Sequence, residues 1–264
     1  MPMTIRRVID ALEELAPLAL QEDYDNAGLQ VGLIGDEVTG VLLCLDITEE
    51  VIAEAERLGC NLVVSHHPLI FRPLKQVSDA TYQQRCVMEA IRKGITLYSA
   101  HTNLDNAEDG VNYRIADRIG LKDIRWIEEK SPVEGVSAGS GVWGVLPEPE
   151  KAEDFLRRLK RTFGVECLMH TDPSGIMVQY VALCGGAGSF LMDAARSLHV
   201  DCFITGEISY HHFFDAEGML LVAMGHYQSE QFTKDLLRDY LADRFPGLRI
   251  EMTSVDTNPI HYTC

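Results

Sequence analysis

The chain has 264 residues, 46% of them hydrophobic, which suits one large or two medium α/β domains. Forty acidic residues against 23 basic ones give a net charge of −17, which repels a phosphate backbone and argues against nucleic acid as a partner. No stretch reaches the roughly 18 apolar residues of a membrane span, and Met1-Pro-Met-Thr-Ile-Arg-Arg lacks the apolar core of a signal peptide, so the sequence reads as a cytoplasmic protein with no membrane partner.

Strand and helix patterns alternate along the chain, the signature of an α/β fold. Ile5, Val8, Ile9, Leu12 and Leu15 lie on one helical face, and Pro17 ends that helix. A strand follows over 41–45. Thr48 caps the next helix, with Glu49 and Glu50 in its first turn where the helix dipole favours acids. The apolar run 61–65 reads as a buried strand; it ends in His66-His67, and Pro68 stops any regular element beyond. A helix over 79–92, a strand over 95–99 and a helix over 110–119 complete the first half.

The second half repeats part of this order. Val41-Leu-Leu-Cys44 and Ser65 correspond to Val181-Ala-Leu-Cys184 and Thr205, and both Cys44 to Ser65 and Cys184 to Thr205 span 21 positions. The expectation is two similar α/β domains with mixed, mostly parallel sheets and a metal site between them. The polar stretch 128–141 marks the boundary, giving domains 1–127 and 128–264, with the C-terminal strand able to return to the first. Under this alignment His66-His67 faces Gly206-Glu207. Seven cysteines form no CxxC pair, and Cys44, Cys167, Cys184 and Cys202 lie in apolar runs, as reduced core residues do.

The chemistry-bearing residues gather at strand ends, where open α/β sheets place ligands. His66-His67 is the first group, His101 with Asp105 the second, and His226 with Glu230 the third. His226 and Glu230 are four apart and share a face if a helix starts after Gly225. Adjacent residues of an extended chain point to opposite sides, which would send His66 and His67 to separate ions. With Asp105, His226 and Glu230 they make five ligands, a set that fits two ions about 3.5–4 Å apart. Imidazole and carboxylate accept zinc, iron, manganese, nickel or cobalt alike. Each piece has a plainer reading. A histidine at a strand end often serves structure, His226 and Glu230 make an ordinary surface pair, and Asp105 suits a helix cap. His101 and Glu207 are candidates for proton transfer or for holding a ligand in place. Gly185-Gly-Ala-Gly-Ser189 follows a strand and opens a helix, so its amides suit an anion, although tight packing explains the glycines equally well.

At these residues the chain resembles the Nif-three-like proteins, also named GTP cyclohydrolase 1 type 2 homologues. The resemblance rests on Asp25-Asn-Ala-Gly-Leu-Gln-Val-Gly32, Ser65-His-His-Pro-Leu-Ile-Phe71, Ser99-Ala-His-Thr-Asn-Leu-Asp105, Gly185–Ser189, Thr205-Gly-Glu207 and Gly225-His-Tyr-Gln-Ser-Glu230, all in family order. It implies a two-domain α/β fold and a dinuclear centre whose ligands fall on His66, His67, Asp105, His226 and Glu230, with Glu230 as the bridge. It also implies a toroidal homohexamer. The middle domain of longer members is absent. Ala27 stands where valine is frequent, and Tyr210 where histidine is frequent. The name implies a nucleotide substrate, yet the chain carries no guanine-reading motif and no Walker-type phosphate loop. The expected activity is therefore hydrolysis of a small nucleotide-like, phosphate-bearing or heterocyclic substrate with two divalent ions. A non-catalytic metal-binding, metal-delivery or regulatory scaffold is the alternative.

Overall fold

The computed structural model describes residues 3–263. In chain order the elements are α1 (Ile5–Leu15), β1 (Gly28–Val31), β2 (Val41–Cys44), α2 (Glu49–Leu58), β3 (Leu62–Ser65), α3 (Tyr82–Lys93), β4 (Thr96–Ser99), the single turn α4 (Thr102–Asp105) and α5 (Val111–Ile119). Next come β5 (Lys122–Val133), β6 (Val136–Lys151), α6 (Ala152–Phe163), β7 (Met169–His170), β8 (Met177–Cys184), α7 (Met192–Ser197), β9 (Cys202–Thr205), β10 (Leu220–Ala223), α8 (His226–Glu230), α9 (Thr233–Arg244) and β11 (Ile250–Met252). No helix among the described residues is long and apolar enough to cross a membrane.

The chain divides into two compact units. The first holds the residues up to Leu104 together with Thr233–Pro259, and the second holds Asp105–Phe232 with the residues from Ile260. The expected boundary at 127/128 is thus replaced by crossings at 104/105 and 232/233. The stretch 128–141 is no linker. It lies within β5 and β6, which pair as a long antiparallel hairpin turning at Glu134-Gly135, both at positive φ. Its polar residues reflect an exposed sheet face, so composition alone mimicked a connection.

The first unit is built on a five-stranded sheet in the order β1-β4-β3-β2-β11. Its neighbours β4-β3-β2-β11 run parallel, and β1 is antiparallel at the edge. Strands β2, β3 and β4 are buried along their whole length, which is why they read as continuous apolar runs. Leu42, Val63 and Leu97 pack against Ile52 and Ala55 of α2 and Val87 and Ala90 of α3. Thr48 caps α2 through Val51 N at 3.3 Å, as expected.

The second unit has a six-stranded sheet in the order β5-β6-β8-β9-β10-β7. Only β8-β9-β10 are parallel, because the hairpin and the short β7 add antiparallel pairs at the edges. The repeat is real in backbone terms. Cys44 pairs with Ser65 in one unit, and Cys184 pairs with Thr205 in the other.

The C-terminal strand does return to the first unit, and a buried carboxylate fastens the residues just beyond it. Glu54 of α2 accepts from the Thr253 hydroxyl, from Ser254 N at 3.2 Å and from Ser254 Oγ at 2.5 Å. Burial pushes the Glu54 carboxyl up, but the hydrogen bonds from Ser254 and Thr253 outweigh it and hold the group below its usual 4.5. Glu54→Gln sets an amide against this ring of donors and is expected to cost roughly 1–3 kcal/mol at pH 7. Because the folded-state value is depressed, that stabilisation is present above pH 4.5 and fades as pH falls through the lowered value. Denaturant titrations of wild type and variant should therefore converge in acid; a gap that stays constant with pH would show that the carboxylate charge plays no part.

Candidate metal centre

In the first unit the strand ends are level. Cys44, Ser65 and Ser99 share one register across β2, β3 and β4. Asp46, His66-His67 and Ala100-His101 therefore emerge together at the carboxyl edge of the parallel strands. The expectation that His66 and His67 point to opposite sides fails here. β3 ends at Ser65, and the two histidines lie in a bend. Ser65 Oγ donates to the His67 carbonyl at 2.8 Å and folds the chain back on itself. The rings of His66 and His67 stand 4.9 Å apart, with His101 at 5.3 and 5.5 Å from them. One donor atom from each of the three lies within 4.8 Å of the others. Side-chain alternation consequently gives no argument for separate ions.

Each imidazole has its Nδ1 engaged. His66, wholly buried, donates from Nδ1 to the Ala100 carbonyl at 2.8 Å. His67 donates to Asp46 Oδ1 at 2.7 Å, and His101 to Asp25 Oδ1 at 2.7 Å. A carbonyl or an ionised carboxylate only accepts, so Nδ1 carries a proton, and in the neutral ring the lone pair lies on Nε2. That is how a protein orients histidine to ligate a metal. Asp25 is itself fixed by Asn26 N at 2.7 Å, Thr102 N at 3.1 Å and the Thr102 hydroxyl. Burial raises its pKa, but the hydrogen bond and charge of His101, with Thr102, prevail and bring it down to about 2. Asp46 behaves alike. Burial raises it, while the bond to His67, the His67 charge and Thr257 lower it further.

In the second unit β9 and β10 also end level, with Thr205 beside Ala223. Gly206-Glu207 leaves one strand and Met224-Gly225-His226 the other. Gly225 precedes α8, so His226 and Glu230 do share a helix face, with Nε2 to Oε2 at 3.1 Å. His226 gives its Nδ1 to Glu207 Oε1 at 2.9 Å, the arrangement found for His67 and Asp46. Glu230 is buried, and a carboxylate oxygen of Asp105 lies within 4.8 Å of one of its own. Asp105 caps no helix, since α5 starts from Gly110. Its backbone carbonyl accepts from Asn112 Nδ2 at 3.0 Å.

The glycine-rich turn serves packing. Gly185 N donates to Asn112 Oδ1, Gly186 N to Ser229 Oγ and Gly188 N to Thr205 Oγ1. These three amides are committed internally and do not face an anion. Gly186 has φ +59°, and a Cβ there would meet Glu230 Oε1 at 2.3 Å; one on Gly188 would meet Cys184 Cβ at 2.4 Å. His211 is exposed and meets the Tyr210 ring edge to face, with centroids 5.3 Å apart. Exposed His170 bonds the Thr171 carbonyl.

Sequence reasoning missed the acceptors Asp25 and Asp46, and the partners Asn112 and Thr257. Asp46 was within reach of the register argument, lying two residues beyond the strand that pairs with the one ending at Ser65. Asp25 comes from a distant loop, and no local pattern links it to His101.

The model of the family Duf34/NIF3 (NGG1p interacting factor 3) matches residues 3–259. A GTP cyclohydrolase 1 type 2 homolog of Clostridium perfringens is 35% identical over 231 residues, covering 86% of this chain and 87% of its own. One of Lactococcus lactis is 34% identical over 254 residues, covering 94% and 95%. The crystal structure of a Staphylococcus aureus protein superposes with a TM-score of 0.90 at 28% identity, covering both chains fully.

Asp25→Asn removes a depressed carboxylate and is expected to cost about 2 kcal/mol in metal-free protein at pH 7. The stabilisation exists above pH 3.8 and is lost as pH falls toward about 2. Equal stability of wild type and variant at pH 7 would sink this assignment.

Proposed function

The chain belongs to the Duf34/NIF3 family, and on that premise we propose that it is a metal-dependent hydrolase of a small nucleotide-like, phosphate-bearing or heterocyclic substrate. In this reading His66, His67, Asp105, His226 and Glu230 ligate two divalent ions, with Glu230 as the bridge. The observation that carries it is the repeated tether of histidine Nδ1 to an acceptor at His66, His67, His101 and His226, which directs Nε2 outward as a ligand. The buried Glu230 supports the same reading, because a carboxylate out of water calls for a cation. The ligand set holds no thiolate, and so differs from the Cys-rich closed sites of structural zinc.

A bound dication would activate water and polarise the scissile group. His101, backed by Asp25, is suited to move a proton, and Glu207 orients His226. The name shared by the curated relatives favours a nucleotide-like substrate. A net charge of −17 makes the ions the natural counter-charge for an anionic one. The ions are zinc, iron, manganese, nickel or cobalt. A toroidal homohexamer in the cytoplasm completes the reading. A metal-binding or metal-delivery protein without turnover is the alternative, since the same tethered imidazoles would serve it.

The test is anaerobic purification with elemental analysis, then a nucleotide and phosphoester panel on the metal-replete protein. About two ions per chain are expected, with turnover abolished in His66→Ala and Glu230→Gln. No turnover with both ions coordinatively saturated would favour the non-catalytic alternative.

A further inference from the structure

We propose that Thr257 is a positioning residue for the metal centre, and that the segment around it forms a strap whose order is coupled to metal binding. This rests on the metal reading of His67 given above. The strap begins where β11 ends. Thr253 N extends the sheet by donating to the Leu43 carbonyl at 2.9 Å, and Glu54 fixes Thr253 and Ser254. Val255 N turns back to Thr253 Oγ1 at 3.2 Å, and its side chain packs on the core of this unit. Two residues on, Thr257 Oγ1 donates to Asp46 Oδ2 at 2.7 Å.

The two oxygens of Asp46 thus have different duties. Oδ1 accepts from His67 Nδ1 at 2.7 Å, and Oδ2 accepts from Thr257. Rotation about the last torsion of an aspartate is soft and roughly two-fold. A single hydrogen bond leaves the carboxylate free to swing, and the imidazole with it. The second bond sets the carboxylate plane and so the direction of His67 Nε2. Outer partners of this kind are typically worth 10–100-fold in metal affinity. The coupling is reciprocal: an ion that fixes His67 also fixes Asp46 and the strap. Nothing in the local sequence announces this, since Asp46 and Thr257 are 211 positions apart.

The experiment is cobalt(II) titration of metal-free protein, reading the d–d absorption, with the step that vanishes in His67→Ala taken as the His67 ion. Thr257→Val should weaken that step by about tenfold, and Thr257→Ser should restore it. Equal thermal midpoints of the metal-free forms would show that the fold is intact. Amide exchange on the wild type, with and without cobalt(II), gives a second reading: protection at 255–258 should rise with metal. Affinity of Thr257→Val within about twofold of wild type, or unchanged exchange at 255–258, overturns the role of Thr257 and leaves the metal reading standing. Cobalt(II) binding that is indifferent to His67→Ala overturns both.

Discussion

Imidazole has two nitrogens, and an acceptor held against one of them fixes the orientation of the ring. That constraint organises much of the first unit. It asks for an acceptor behind every ring: the Ala100 carbonyl for His66, Asp46 for His67 and Asp25 for His101. The acceptors come from three different strand ends or loops, so they meet only if β2, β3 and β4 finish level. The fully buried strands and the helices covering them maintain that level finish. The second unit meets the same requirement with Glu207 behind His226, again across two parallel strand ends.

The electrostatics stem from the same choice. Carboxylates behind the rings hold negative charge at the centre without being ligands themselves. Asp25 and Asp46 are both kept ionised against the effect of burial by their histidines and by hydroxyl donors. Such a cluster attracts a cation, and it raises the basicity of the imidazole Nε2 atoms. The glycines of the second unit contribute by absence. A methyl group at Gly186 would occupy the space used by the Glu230 carboxylate.

Much of this was legible in the sequence, and the limits have physical causes. Buried strands announce themselves as apolar runs, so β2, β3, β4, β8 and β9 were found within a residue or a few. The 21-residue repeat was found because parallel strands joined by one helix impose a fixed length. The segments bearing His66-His67, His101 with Asp105, and His226 with Glu230 stood out because imidazoles and carboxylates are uncommon at strand ends. Two things were lost. The polar hairpin β5–β6 resembled a linker, since a half-exposed sheet has the composition of a loop. The acceptors Asp25 and Asp46 were lost because a carboxylate far away in sequence has no signature until the fold brings it home. Alternation misled at His66-His67, because it holds only while the chain stays extended, and Ser65 ends that.

The order of the units along the chain carries a consequence for synthesis. The sheet of the first unit is complete only when Ile250–Met252 has paired with β2. The second unit lies wholly between, apart from the residues from Ile260. A ribosome therefore releases nearly all of the second unit while the first still has an open flank along β2. That flank is apolar and buried in the finished protein, so the nascent first unit must wait with a sticky edge exposed. The interval runs from the end of β4 at Ser99, when β2, β3 and β4 can first pair, to Ile250, and it leaves that edge open to wrong pairings while the second unit is made.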